Sequence, residues 1–188
     1  MMSLRRQALS CMLVLLASGA PKLASATVVV ELTRDQLVER AGLIVRAKVV
    51  GQAFRWSEDH KQMLTLSELA VSSYLKGAGP ETLTLRQFGG EMGELRSKVI
   101  GDAHLVVGQE VVLFLKPGAG VVYLSALGQS AFLIEKSSAG VPMVSQPALE
   151  ELSFYNPGDK SLTRLAPRPT ETLEQLITSV KARIGGGR

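Results

Sequence analysis

His60 and His104 are the only imidazoles in the chain, and its one cysteine is Cys11. A zinc site needs three or four His, Cys or carboxylate ligands at close spacing, and two distant histidines with no cysteine beside them supply none. Asp59 next to His60 offers at most a weak surface ion site and reads as a solvated turn. A serine nucleophile has no G-x-S-x-G to carry it. Ser125 or Ser130 would have to meet His104 through the fold, as triads do, and the plainer reading is hydroxyls in turns. Glu91 and Glu94 are a carboxylate pair of the kind used in acid–base work, but they flank a glycine loop and read as exposed. That loop, Gly89-Gly90-Glu91-Met92-Gly93, is not a phosphate cradle, because no Lys-Ser/Thr follows it and no helix opens there. It reads either as a tight loop between strands or as a binding edge. Trp56, the single tryptophan, follows Phe54 and Arg55. It reads either as a ring capping a barrel end or as a surface anchor of the type enriched at binding hot spots. The expectation is a chain with no enzyme activity, no metal and no cofactor. Its candidate contact residues are Trp56, Gly89, Gly90, Glu91, Met92 and Gly93.

The elements that must position these residues are mostly strands. Thr27 to Leu32 is apolar and β-branched, a short strand. Thr33 with Gln36 three residues on forms a capping box, Leu32 and Leu37 a hydrophobic staple, and Gly42 a helix stop, so residues 34–41 are expected to be a short helix. Leu43 to Phe54 alternates, with Leu43, Val45, Ala47 and Val49 facing the core. A polar turn at Ser57 to His60 leads into a strand from Met63 to Leu75, broken at Lys76-Gly77-Ala78-Gly79-Pro80. Further strands are expected at 82–88, 95–100, 110–116, 121–127, 131–136 and 141–145, with turn signals between them. This spacing predicts a sandwich or barrel. Residues 147–169 read as an irregular connection. Leu173, Leu176, Ile177, Val180 and Ile184 then mark the apolar stripe of a C-terminal amphipathic helix, ended by Gly185-Gly186-Gly187.

The first 26 residues read as a signal peptide. Arg5 and Arg6 form the basic start, Ala8 to Ala17 the apolar stretch, and Ala24-Ser25-Ala26 the cleavage site. The apolar stretch is too short to span a membrane, which needs about 20 residues. Cleavage after Ala26 removes Cys11 and three basic residues, Arg5, Arg6 and Lys22. The formal net charge then falls from +4 to +1, with 18 basic residues against 17 acidic. That near-neutral remainder, poor in aromatics for stacking, argues against a nucleic-acid partner. The expected location is periplasmic or secreted, with no membrane span after cleavage.

The run Ala41-Gly42-Leu43-Ile44-Val45-Arg46-Ala47-Lys48-Val49, followed by a long strand ending Tyr74-Leu75-Lys76-Gly77, resembles the opening of the netrin-like domain. That domain is the OB-type barrel of the tissue inhibitors of metalloproteinases. The resemblance covers residues 38–77 and implies a barrel that works by binding another protein. Those inhibitors begin with a Cys-x-Cys that chelates the protease zinc. Here the chain after cleavage begins Thr27-Val28 and holds no cysteine, so their inhibitory mechanism does not carry over. The Gly89-Gly90 loop and the Glu110 to Leu115 strand also look like a recurrent domain of bacterial secreted proteins, which implies export and no particular activity.

The expected architecture is therefore all-β. It is a small OB-like barrel over residues 27–146, with a short N-terminal helix and a C-terminal amphipathic helix and tail over 170–188. The expected function is that of an exported, non-enzymatic protein-binding module, protease-inhibitor-like in one version. The rival readings are a structural domain of the cell envelope, docking through the C-terminal helix with its 173–184 stripe or through the N-terminal segment, and a hydrolase with an unrecognised site that includes His104.

Overall fold

The computed structural model describes residues 27–164 and 170–186. The expected signal peptide, residues 1–26, lies outside the described residues. In chain order the elements are β1 (Thr27–Val29), α1 (Arg34–Arg40), β2 (Leu43–Trp56), β3 (Met63–Lys76), β4 (Thr82–Phe88), β5 (Gly90–Met92), β6 (Leu95–Ser97), β7 (Glu110–Pro117), β8 (Val122–Leu124), β9 (Ala131–Lys136), β10 (Pro142–Ser145), a 3-10 turn (Pro147–Glu151), β11 (Leu152–Asn156), β12 (Ser161–Thr163), β13 (Glu171–Thr172) and α2 (Leu173–Gly185).

Five strands close on themselves in the order β7-β2-β3-β4-β8 and back to β7. All neighbours are antiparallel except β4 and β8, which run parallel through Leu85 and Val122. This is a small all-β barrel, one of the two architectures expected from the strand spacing, and agrees with the small OB-like barrel that the resemblance implied. Its interior is filled by Val45, Ala47, Val49, Leu69, Leu83, Leu85, Val111, Leu113 and Leu115. The sheet continues past β7 through β9, β10 and β13.

The unbroken apolar run of β7 has a physical cause. Its odd-numbered residues fill the barrel, while Val112 and Phe114 lie under the two helices with Ile44, Phe132, Leu37, Leu173, Leu176 and Val180. A strand buried on both faces loses polar alternation. The α2 stripe is thus buried in the chain's own core, which removes the reason for treating it as a docking face.

Both helices open with a complete capping box, Thr33 with Gln36 and Thr172 with Gln175. They are tied together by Arg34, whose guanidinium bonds both carboxylate oxygens of Glu171 and Ser179 Oγ (2.9 Å) and lies 5.5 Å from the Phe132 ring centre. Gly42 is not a left-handed helix stop. The cap is Ala41 in an extended conformation, and a Cβ on Gly42 would meet Pro117 Cδ at 2.7 Å. Two of the orphan carbonyls at the helix end are instead met by Lys76 Nζ, at 2.6 Å from Val38 O and 2.7 Å from Ala41 O. The Lys76-Gly77 pair thereby fixes the corner between α1 and the barrel.

Further expectations need correction: the strands expected at 27–32 and 95–100 end at Val29 and Ser97. The Gly89–Gly93 segment is not a free loop: Gly90–Met92 pairs with Leu95–Ser97 in a small hairpin. The strand expected at 121–127 covers only Val122–Leu124, after which the chain turns toward β9 with Leu127 at φ 47°. Residues 147–164 hold the 3-10 turn, β11 and β12 where an irregular connection was expected. β11 pairs in parallel with β1, forming a separate three-stranded sheet with its own small core of Leu149, Leu152, Phe154 and Val29.

Candidate functional site

At one end of the barrel β2 and β3 run on as a twisted hairpin beyond the closed ring. In-register partners share a face of the sheet. The interior face therefore passes from Leu69 and Leu83, through Gln52, Ser67 and Leu85, to Phe54, Thr65 and Gln87. It changes from apolar to polar to aromatic as it leaves the core. The polar layer is satisfied internally, as buried polar groups must be. Gln52 Nε2 donates to Ser67 Oγ (3.0 Å) and Leu105 O (2.9 Å), and Gln87 Nε2 donates to Ala103 O (2.8 Å). These bonds hold Ala103 and Leu105, both buried, as a plug across the barrel mouth.

Above the plug lies an open cleft of about 620 Å³, bounded by the hairpin ends, the β5–β6 hairpin and the segment 98–106. Phe54, Phe88 and Val106 give it an apolar wall, and each is more than 40% exposed. Arg96, Lys98, His104, Glu91 and Asp102 give it a charged rim. Arg96 pairs with Glu91 across the hairpin at 3.4 Å. Lys98 bonds Glu151, and that hydrogen bond, with help from the Gly101 N–H, holds the Glu151 carboxyl below its ordinary range.

Gly89, Gly90 and Glu91 line this cleft, whereas Met92 and Gly93 sit on its outer hairpin and Trp56 stands at the far tip of β2 outside it. Trp56 also lies outside the barrel's core cluster. The glycines have structural reasons. A Cβ on Gly90 would strike Phe54 Cδ1 at 2.7 Å and Thr65 Oγ1 at 2.8 Å, so glycine lets the hairpin lie flat on the sheet. Gly89 has φ 91° and donates its N–H to Met63 O at 2.8 Å. His60 sits in an exposed turn at φ 55°, with Asp59 engaged by Ser57 Oγ at 2.6 Å. Ser125 and Ser130 bond each other at 2.9 Å and do not line the cleft with His104. Among the described residues no group of three His, Cys, Asp or Glu side chains is arranged to hold a metal.

The residues that sequence reasoning missed are Gln52, Phe88, Gln87 and Asp102. Gln87 did leave a signal: it stands in the same phase as Leu83 and Leu85, a polar residue where the alternation demands an apolar one. Gln52 left none, because register irregularities between Val49 and Gly51 reset the phase of β2.

Burial pushes the Asp102 carboxyl above its ordinary range, against hydrogen bonds from the Ala103 N–H (2.8 Å) and the Gln87 amide. The folded chain therefore holds this proton more tightly than the unfolded chain does. Stability from this group is highest below the unfolded value of 3.8 and falls as pH rises through the raised folded value. Asp102→Asn keeps an acceptor for the Ala103 N–H. It is expected to exceed the wild type in urea midpoint at about pH 7 and to match it at about pH 3. An equal gain at both pH values would refute the burial effect.

Compared with known proteins, the chain matches no family model and no curated protein at a significant level.

Proposed function

We propose that this chain is an exported, non-enzymatic binding module that seats a protein partner in the cleft at the barrel mouth. The observation that carries this reading is the exposed aromatic and aliphatic wall of Phe54, Phe88 and Val106 above a plug with satisfied hydrogen bonds. The plug fills the barrel, so a ligand rests on the mouth and does not enter it. An open cleft with an apolar wall and a charged rim matches the anatomy of a protein-binding patch. OB-type barrels also bind on a strand face and its flanking loops, in keeping with the netrin-like resemblance. An inhibitor acting through the Thr27 α-amino group is less favoured, since Thr27 pairs with Leu152 in the separate three-stranded sheet.

The test is capture from the source organism's own envelope and secreted fractions, with wild type and Phe88→Asp as paired baits. A partner held by the wild type and reduced at least about tenfold on Phe88→Asp, a hot-spot-sized loss, supports the reading. A partner held equally by both baits refutes the placement.

A second reading, hydrolysis, is favoured by one observation: Asp102, with its raised carboxyl, and His104 both line the cleft, and perturbed carboxylates cluster at catalytic sites. Against it, the Asp102 carboxylate is already engaged by Ala103 and Gln87 in holding the plug. Turnover of any ester or peptide substrate that disappears in His104→Ala would establish hydrolysis in place of simple binding.

A further inference from the structure

The pairing of β2 leaves one of its edges open. On the β7 side the ladder ends at Lys48, and the adjoining loop bonds reach only Val49, through Gln109 O and the Gly108 N–H. Beyond that, residues 51–56 pair only with β3. Which backbone groups face outward follows from the hairpin end. The Ser57 N–H bonds Gln62 O inside the hairpin, and Met63 O accepts from the Gly89 N–H on the far side. Trp56 and Met63 are therefore a non-hydrogen-bonded pair. Alternation then turns the N–H and C=O of Gln52, Phe54 and Trp56 outward, onto an edge where no strand of the described residues meets them.

Natural edges are blunted by proline, charge or a covering segment. Between Gly51 and Trp56 there is no proline, and Arg55 is the only charge. Phe54 and Trp56 remain 41% and 37% exposed there.

We propose that this edge pairs with the same edge of a second copy, antiparallel, about a two-fold axis at Phe54. A two-fold axis normal to the sheet keeps both copies on one face, so the axis must pass midway between one residue and its own copy. Centring on Phe54 pairs Phe54 with its own copy and Gln52 with Trp56, which satisfies every outward group of all three residues. It also buries an aromatic pair at the axis, the kind of cross-strand contact that stabilises sheets. Centring on Ala53 leaves Trp56 without a hydrogen-bonded partner in the segment. Centring on Arg55 sets two guanidinium groups face to face, which is destabilising. The Phe54 register also carries the exposed Glu58 of each turn toward the exposed Lys48 of the other copy. Lys48 already faces Glu110 across the β7 ladder, where, after the Arg46 hydrogen bond, its charge helps hold that carboxyl below its ordinary range, so Glu58 of the second copy would add to an existing charge pair. Because Phe54 also belongs to the cleft wall, the pairing sets the two clefts side by side on one face of the dimer, with the Phe54 pair shared between them and Phe88 and Val106 left exposed.

The experiment is sedimentation velocity of the purified protein at about 100 µM, where a Kd below roughly 10 µM leaves mostly dimer, compared with the chain mass from mass spectrometry. The wild type is expected to sediment at twice the chain mass. Phe54→Lys, which apposes like charges at the axis, is expected to sediment at the single-chain mass with an unchanged circular dichroism spectrum. Gln62→Ala, away from the edge, controls for general effects and should remain dimeric. A wild type of single-chain mass overturns the proposal, and so does a Phe54→Lys variant that stays dimeric.

Discussion

Deleting residues 170–188 is expected to abolish cooperative folding. The deletion removes Leu173, Leu176 and Val180, all buried, and with them the cover over Phe114, Phe132 and Val112. Losing a buried Leu side chain alone costs about 2–5 kcal/mol, and three such losses reach the whole stability of an ordinary domain, about 5–15 kcal/mol. The deletion also takes Glu171, leaving the Arg34 guanidinium on the Phe132 ring without its carboxylate. A thermal scan followed by near-ultraviolet circular dichroism checks this. The predicted result is no cooperative transition. A shortened chain that melts sharply would mean that the helix is an appendage, and would return the α2 stripe to the list of docking surfaces.

Gly101→Ala is expected to destabilise the fold by about 2–5 kcal/mol, the sum of a left-handed backbone penalty and overpacking. Gly101 has φ 80°, and a Cβ there would lie 2.0 Å from Leu152 Cδ2. Its carbonyl accepts the Gly128 N–H at 2.9 Å, and a Cβ on Gly128 would in turn fall 2.6 Å from that carbonyl oxygen. Two glycines thus let two backbones touch, and they clamp the start of the segment that becomes the plug. The substitution should loosen the cleft as well as the core. Urea denaturation gives the stability change, and amide exchange at Ala103 and Leu105 reports on the plug. A change below about 0.5 kcal/mol, the size of a neutral surface substitution, would show that the turn is free to relax.

Much of the fold was legible because the residues that specify it act locally. Thr33 and Gln36 fix a helix start wherever they occur before an apolar run, and the alternation of Thr82 to Phe88 marks a strand whose observed ends are the same residues. What escaped depends on contacts distant in sequence. Gly42, Gly90 and Gly101 all look like turn glycines, yet each is needed because another chain segment comes too close for a Cβ. β11 read as loop because one of its two partners is β1, more than a hundred residues earlier, and β12 because it is a three-residue edge strand that pairs with β11 alone. The cleft was half legible. The glycine hairpin stood out by composition, whereas its apolar wall, Phe54 and Phe88, is made by strands whose neighbours are set by barrel closure. Trp56 attracted attention by its residue type, but its place at the hairpin tip puts it on the open edge of β2 and outside the cleft.

The central claim is that the mouth of the barrel is the surface through which this chain binds another protein. Placing the photo-reactive residue benzoylphenylalanine at position 88, and separately at the exposed position 162 on the three-stranded sheet, tests it in living cells. Irradiation followed by mass analysis should give one discrete cross-linked protein from position 88 and none from position 162. Cross-links from position 162 alone, or from neither position with the chain shown to be folded, would contradict the account.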